Sequence, residues 1–172
     1  MALVFQYGSN MSTQRLNGQD RLAGGAKVIG VAQTVEPYEL AFTVWSSVNN
    51  CAAADIVANP GGRSLYGILY DIPNSLIYRS ATEAAGARSL DAIEGEGKYY
   101  VRKNILVKRE DGSEVQSLTY VVKSPDWSVK TEAAYVNHII AGIDEHSLPE
   151  EYRRYVLQRV ILNNPELSAI FE

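Results

Sequence analysis

The chain is poor in the residues from which disulfide frameworks, metal centres and covalent catalytic pairs are built. Its 172 residues include one cysteine and two histidines. A single Cys51 excludes an internal disulfide framework and gives no sign of an oxidising compartment. Followed by Ala52, Ala53 and Ala54, it reads as a buried thiol rather than a nucleophile. His138 and His146 sit in no ligand-type cluster, so no metal site is expected. His138 lies among isoleucines in a helical stretch and reads as a core residue, with a general base as the alternative. No Ser–His or Cys–His pairing suggests covalent catalysis.

Charge of one sign is also missing in blocks. The net charge is −4 with no run of lysines or arginines, which makes nucleic acid and acidic membrane surfaces unsuitable partners. No apolar run reaches membrane-spanning length, and residues 1–5 are too short for a signal peptide, so a cytoplasmic address is expected. Repeats and low-complexity linkers are absent. The length suits one domain over residues 1–172, long enough to bury a real core. Apolar content of 46% and charged content of 21% are those of a folded soluble protein.

What is present reads as a mixture of short strands and helices. Leu3-Val4-Phe5-Gln6-Tyr7 opens as a strand and breaks at Gly8-Ser9-Asn10, after which residues 12–16 begin a helix. Residues 21–25 form a helix end or loop, and 26–35 and 38–45 are strands separated by Pro37. Residues 53–58 and 64–71 read as a strand pair turning at Asn59-Pro60-Gly61-Gly62-Arg63. Ser80-Ala81-Thr82-Glu83 has capping-box spacing and predicts an alanine-rich helix toward Ile93. Residues 98–108 and 114–123 form a hairpin at Asp111-Gly112. The last third is helical: 132–143 places Tyr135, Ile139, Gly142 and Ile143 on one face. A second helix, to about Leu162, is predicted to start with Ser147 as N-cap, Pro149 in its first turn and Glu150 closing a capping box. The class is α+β, with a sheet able to close into a barrel because its strands are short and mostly hairpin-connected.

Two stretches carry chemical interest. The strand–turn–helix around Gly8 points backbone N–H groups at a small volume suited to an anion, although ordinary polar turns have the same pattern. It lacks the flanking glycines of a nucleophile elbow and the Gly-Lys-Ser/Thr ending of a phosphate loop. The second is Asp91-Ala92-Ile93-Glu94-Gly95-Glu96-Gly97, at a helix-to-strand junction. Glu94 can face inward among apolar and phenolic groups, where burial lifts a glutamate toward a pKa suited to proton exchange. A solvated loop acid is the commoner fate of a glutamate beside glycines, and more so for Asp91 and Glu96. The 11 tyrosines are mainly packing groups, with one or two free to line a polar pocket.

These residues resemble a known family. Phe5-Gln6-Tyr7-Gly8-Ser9-Asn10-Met11 is similar to the Tyr-Gly-Ser-Asn signature opening the gamma-glutamylcyclotransferases. Ser89-Leu90-Asp91-Ala92-Ile93-Glu94-Gly95 resembles the Leu-Asp-x-x-Glu-Gly segment that holds their catalytic glutamate. Tyr100-Val101-Arg102 through Val107 is similar to the following strand. His138-Ile139-Ile140-Ala141-Gly142 and Leu148-Pro149-Glu150-Glu151-Tyr152 look like the closing helices. The similarity runs in order from Phe5 to about Leu157.

The resemblance implies a small mixed β-barrel flanked by helices, with a cavity between the first turn and the glutamate. It implies conversion of gamma-glutamyl amino acids or amines to 5-oxoproline and free amine, without metal or organic cofactor. On this likeness the backbone of Tyr7, Gly8, Ser9 and Asn10 holds the glutamyl moiety and Glu94 is the catalytic acid/base. Tyr100 and Tyr135 match pocket tyrosines, as does Tyr120 less closely; gap placement leaves Tyr99 as the alternative to Tyr100. Two departures bear on the substrate: residues 73–88 are longer than in smaller relatives, and Gln6 stands where alanine is common. Other readings are a non-catalytic small-ligand module on the same scaffold, or a relative removing a gamma-glutamyl cap from a biosynthetic intermediate. An exposed face on the C-terminal helices would allow a homodimer.

Overall fold

The computed structural model describes residues 1–79 and 88–172. Seven strands run in chain order: β1 (Ala2–Gln6), β2 (Lys27–Thr34), β3 (Tyr38–Ser46), β4 (Cys51–Ala58), β5 (Tyr66–Ile72), β6 (Tyr100–Arg109) and β7 (Glu114–Val122). The helices are α1 (Thr13–Leu16), α2 (Leu90–Glu94), α3 (Ala133–Glu145), α4 (Glu150–Asn163) and α5 (Ser168–Phe171). The expected Ser80–Glu83 capping box, and the start of the helix it was to open, lie outside the described residues.

Five strands close into a barrel in the order β1-β5-β2-β6-β7, and β3 and β4 form a separate two-stranded sheet. Neighbours in the barrel are antiparallel except at the closure, where β1 meets β7 in parallel through Val4 and Leu118. The expected α+β class with a small mixed barrel is the architecture observed. Closure leaves no free barrel edge for another chain to extend. The β6–β7 hairpin turns at Asp111-Gly112 as expected, with Gly112 at φ 84° and Asp111 accepting from the Ser113 backbone at 2.9 Å.

One pairing differs from the expectation. β4 does not form a hairpin with β5; it pairs with β3, from Tyr38↔Ala58 to Ser46↔Cys51. The turn at 59–63 hands the chain from the small sheet to the barrel, with Arg63 held against Tyr38 by reciprocal backbone bonds of 2.9 and 3.0 Å. A turn signal is local, whereas the partner of a strand is chosen by packing far along the chain.

β4 is alanine-rich, unusual for a strand, but its first six residues are buried, and the Tyr135 and Tyr100 hydroxyls reach the backbone of its Ala54. β4 is tied to the barrel by Asp55, whose carboxylate accepts from the Val122 N–H at 2.9 Å and from the Thr43 hydroxyl at 3.2 Å. α4 covers β3: Tyr155 accepts from the Leu40 N–H at 3.0 Å, Arg159 donates to the Leu40 carbonyl at 2.8 Å, and Arg159 also pairs with Glu39.

The expected cap of α4 is not observed. Its N-cap is Pro149, with no side-chain cap. Ser147 instead sits at φ 52°, where Leu148 N–H reaches back to the Ile143 carbonyl at 3.0 Å. Ser147 therefore terminates α3 in a left-handed conformation rather than starting the next helix.

α3 lies across the turn that follows β1. Gly142 is the point of closest approach: a Cβ there would stand 2.6 Å from Met11 Cβ and 2.7 Å from Ser12 N. Tyr135, Ile139, Gly142 and Ile143, expected on one face, are all buried.

Candidate active site

The chain leaves β1 at Gln6 and passes through Tyr7 and Gly8 into a single 3₁₀ turn, Ser9–Met11. The leading N–H groups of such a turn have no intrahelical acceptor. The turn is held from behind. The Tyr70 hydroxyl lies 3.2 and 3.0 Å from the carbonyls of Asn10 and Met11, and His146 Nε2 lies 3.0 Å from the latter. His146, left without a role by the sequence, thus braces the turn.

Opposite the turn stands α2. Its N-cap Ser89 accepts from the Ala92 N–H at 3.2 Å, and it ends at Glu94 because Gly95 follows at φ 64°. A Cβ on Gly95 would be 2.6 Å from the Tyr99 ring, so both conformation and space call for glycine. Asp91 was expected to be a solvated loop acid. It is 4% exposed and anchors α2 to the barrel instead. Its carboxylate accepts from the Tyr120 hydroxyl at 2.6 Å and the Arg79 N–H at 3.2 Å, and lies 3.3 Å from the Arg102 guanidinium. A buried carboxylate survives only when so satisfied. Glu96 is half-exposed, 3.9 Å from Arg102.

Glu94 meets the turn directly. Asn10 Nδ2 donates to Glu94 Oε1 at 2.7 Å, and Arg21 donates to Asn10 Oδ1 at 2.5 Å. One amide thus joins the acid to a cation. Glu94 keeps some accessible surface because it borders a cavity, yet its carboxyl is packed closely enough that burial dominates its titration. Burial raises its pKa above the usual glutamate range, against the opposing pull of Arg21, the Asn10 hydrogen bond and Arg15. A carboxyl so placed holds a proton more readily than a free glutamate, which suits it to proton exchange.

Three phenols form the floor. Ala54 donates its N–H to the Tyr135 hydroxyl at 2.9 Å and accepts from the Tyr100 hydroxyl at 2.7 Å, while Tyr7 donates to the Tyr120 carbonyl at 2.6 Å. Burial pushes the phenols of Tyr7, Tyr100 and Tyr135 up, so they stay neutral. The Tyr120 phenol is raised too, by burial and then by its bond to Asp91.

Turn, acid and tyrosines surround one cavity of about 250 Å³, just below the usual range of about 300–1,000 Å³ for small-molecule sites. Its lining includes Glu94, Tyr7, Gly8, Ser9, Asn10, Tyr100, Tyr120 and Tyr135. The eight residues that the family resemblance marks as site residues therefore converge on one place, although they come from widely separated stretches. Tyr99 borders the cavity as well: it is half-exposed against Gly95, whereas Tyr100 is buried. His138 is half-buried and outside the lining.

The sequence reading missed Arg15, Arg21 and Arg88, which also line the cavity, and the rim at residues 44–49. A usable signal existed for two of them: Arg15 and Arg21 follow the anion-suited turn closely enough to fold back on it. Among the described residues, no group of three or more His, Cys, Asp or Glu could hold a metal ion. No helix among them is long and apolar enough to cross a membrane.

Known structures share this architecture. A gamma-glutamyl cyclotransferase superposes with a TM-score of 0.76 at 24% identity, over 91% of this chain and 86% of that one. An uncharacterized protein from Homo sapiens matches with a TM-score of 0.76 at 25% identity, over the same shares. YkqA from Bacillus subtilis matches at 0.69 and 21% identity, over 92% of this chain and 54% of its own. The fold is thus the gamma-glutamylcyclotransferase-like one that the motifs resemble. No functionally curated protein matches the chain significantly. A sequence model of the AIG2-like family matches residues 64–156, more than half of the chain. That segment supplies Glu94, Asp91, Tyr100, Tyr120 and Tyr135, while the turn at residues 7–10 reaches the cavity from outside it. By that match, the chain belongs to the AIG2-like family.

Proposed function

We propose that the protein is a cofactor-independent cyclotransferase that converts gamma-glutamyl amino acids or amines to 5-oxoproline and the free amine. The observation carrying this reading is the contact between Asn10 and Glu94 across the cavity, which sets a carboxyl of raised pKa against a turn rich in backbone donors.

In this reading the substrate's α-ammonium gives a proton to Glu94. The freed amine attacks the γ-carbonyl of the same glutamyl unit, forming the bond between the α-nitrogen and Cδ. Collapse breaks the bond from Cδ to the departing nitrogen, which receives the proton held by Glu94. Through the same carboxyl it also receives the second proton that the attacking nitrogen sheds in becoming the lactam N–H, and so leaves as an ammonium. Water is neither consumed nor released. Such positioned proton transfer is worth about 10²–10⁴ in rate. Selecting the folded substrate conformer adds an orientation gain, and N–H groups of the turn can steady the developing oxyanion. The neutral phenols of Tyr7, Tyr100 and Tyr135 shape the polar floor beneath the glutamyl unit.

The test is 5-oxoproline release by purified protein from a panel of gamma-glutamyl amino acids and amines. Glu94→Gln keeps the shape and an acceptor for Asn10 but loses the base, so turnover falls by about 10²-fold or more with an unchanged melting temperature. A variant that retains most of the activity removes Glu94 from the role. Ligands that bind across the panel without turnover favour a non-catalytic module.

A further inference from the structure

The cavity is electrostatically lopsided. Among the described residues lining it, the ionised side chains are the cations Arg15, Arg21 and Arg88 and the single anion Glu94. Arginine stays protonated under all physiological conditions, so the described lining residues carry a net charge of two positive when Glu94 is ionised. Asp20, the other carboxylate facing Arg21, is exposed and outside the lining. Repulsion from Arg15 and Arg88 adds to burial in lowering the Arg21 pKa. Arg88 donates to the Ala92 carbonyl at 3.3 Å, and all three guanidinium-bearing side chains border the same cavity.

Hydrogen-bond supply is lopsided in the same direction. Arg21 Nη2 is engaged by Asn10 and Arg15 Nη2 by Asn49, at 2.5 and 3.2 Å. Yet Arg15 Nε and Arg21 Nε are buried without an acceptor, and so is Gln6 Nε2. Gln6 is only 6% exposed and borders the cavity. A buried donor left unpaired is costly; the three side chains that carry these donors all line the cavity and are of the type that binds carboxylate oxygens.

A gamma-glutamyl compound always brings an ammonium and a carboxylate on its glutamyl end, which cancel. The charge of the whole is that of the leaving part: zero for a simple amine, one negative for a neutral amino acid, two negative for an acidic one. Only the last balances this lining. We propose that the preferred substrate is a gamma-glutamyl dipeptide whose second residue is acidic, with Arg15, Arg21, Arg88 and Gln6 holding its carboxylates. The inference rests on the cyclotransferase reading of the same cavity. The reaction is unchanged: the amide bond to the acidic amino acid breaks, the lactam bond forms, and free glutamate or aspartate leaves as its ammonium form with the two protons shed by the attacking nitrogen.

The deciding experiment compares isosteric pairs, gamma-glutamyl-glutamate with gamma-glutamyl-glutamine and gamma-glutamyl-aspartate with gamma-glutamyl-asparagine, together with gamma-glutamyl-ethylamide. The readout is 5-oxoproline formation by the wild-type protein. The acidic member of each pair is expected to have a kcat/KM about tenfold or more above its neutral partner, the worth of one charge-assisted bond. The gap should lie mainly in KM, narrow with added salt, and shrink in Arg15→Gln and Arg88→Gln variants that keep the wild-type circular dichroism. Equal rates within each pair, or preference for the neutral member, overturn the proposal and leave the cyclotransferase reading standing. No turnover of any panel member by folded protein overturns both.

Discussion

Gly142→Ala separates stability from catalysis in a way the packing makes quantitative. In the middle of a helix this substitution ordinarily stabilises by about 0.8–1.0 kcal/mol, because alanine loses less backbone entropy. Here the new methyl would stand 2.6 Å from Met11 Cβ and 2.7 Å from both Met11 C and Ser12 N. Two of those three atoms are backbone, so no rotamer change relieves them. Reaching an ordinary separation of about 3.5 Å requires α3 and the turn to move apart by about 0.8 Å. Overpacking of this kind costs about 1–3 kcal/mol, leaving a net loss of about 1 kcal/mol. That corresponds to a melting temperature about 2–4 °C lower in a chain of this size.

The effect on turnover is expected to be far larger. Met11 follows Asn10, and Asn10 holds Glu94 at 2.7 Å. Misplacing a reacting constellation by about 1 Å costs about 10²-fold. Thermal unfolding and 5-oxoproline release on the same preparation measure the two effects separately. A variant that melts higher than wild type, or that keeps full activity, would refute the claim that α3 sets the position of the turn.

Two further outcomes follow from buried carboxylates. Asp91→Ala leaves the Tyr120 hydroxyl and the Arg102 guanidinium without their acceptor, and is expected to destabilise by about 2–3 kcal/mol. It should also lower kcat more than it raises KM, since Asp91 positions α2 rather than touching substrate; Asp91→Asn, keeping an acceptor for Tyr120, should recover part of both. Burial raises Asp55 to a pKa of about 6, above its unfolded value of about 3.9. Its contribution is therefore fully present below pH 4 and lost as the pH rises through 6, by up to about 3 kcal/mol. Asp55→Asn, still able to accept from Val122, is expected to raise the melting temperature at pH 8 and to change it little at pH 4; equal shifts at both pH values would show that Asp55 titrates normally.

Much of this arrangement was legible because it is written locally. Apolar runs interrupted by Gly8, Pro37 and Asp111-Gly112 mark strands and their ends without reference to the rest of the chain. Gly95 after Glu94 marks a helix stop that leaves a carboxyl at the junction. What escaped was whatever depends on distant partners. Asn59–Arg63 carries the features of a hairpin turn, yet β4 pairs backward to β3, because a strand's partner is chosen by packing far along the chain. Ser147 has the spacing of an N-cap but adopts the conformation that ends the preceding helix. Asp91 reads as a surface acid until Tyr120 and Arg102, from the distant β6–β7 hairpin, come to meet it. Arg15, Arg21 and Arg88 acquire a common purpose only when the cavity closes around them.

The two-stranded sheet outside the barrel has a consequence for how this scaffold can change. The acid lies on the short helix α2 and Tyr100 and Tyr120 on barrel strands, whereas the cavity rim, with Trp45 at 44% and Val48 at 81% exposure, comes from the bend between β3 and β4. Lengthening, shortening or recharging that bend alters what can enter without shifting any barrel register. Under the proposed cyclotransferase reading, variation in the substrate can thus be met at the ribbon tip, while Glu94 and the turn that faces it stay as they are.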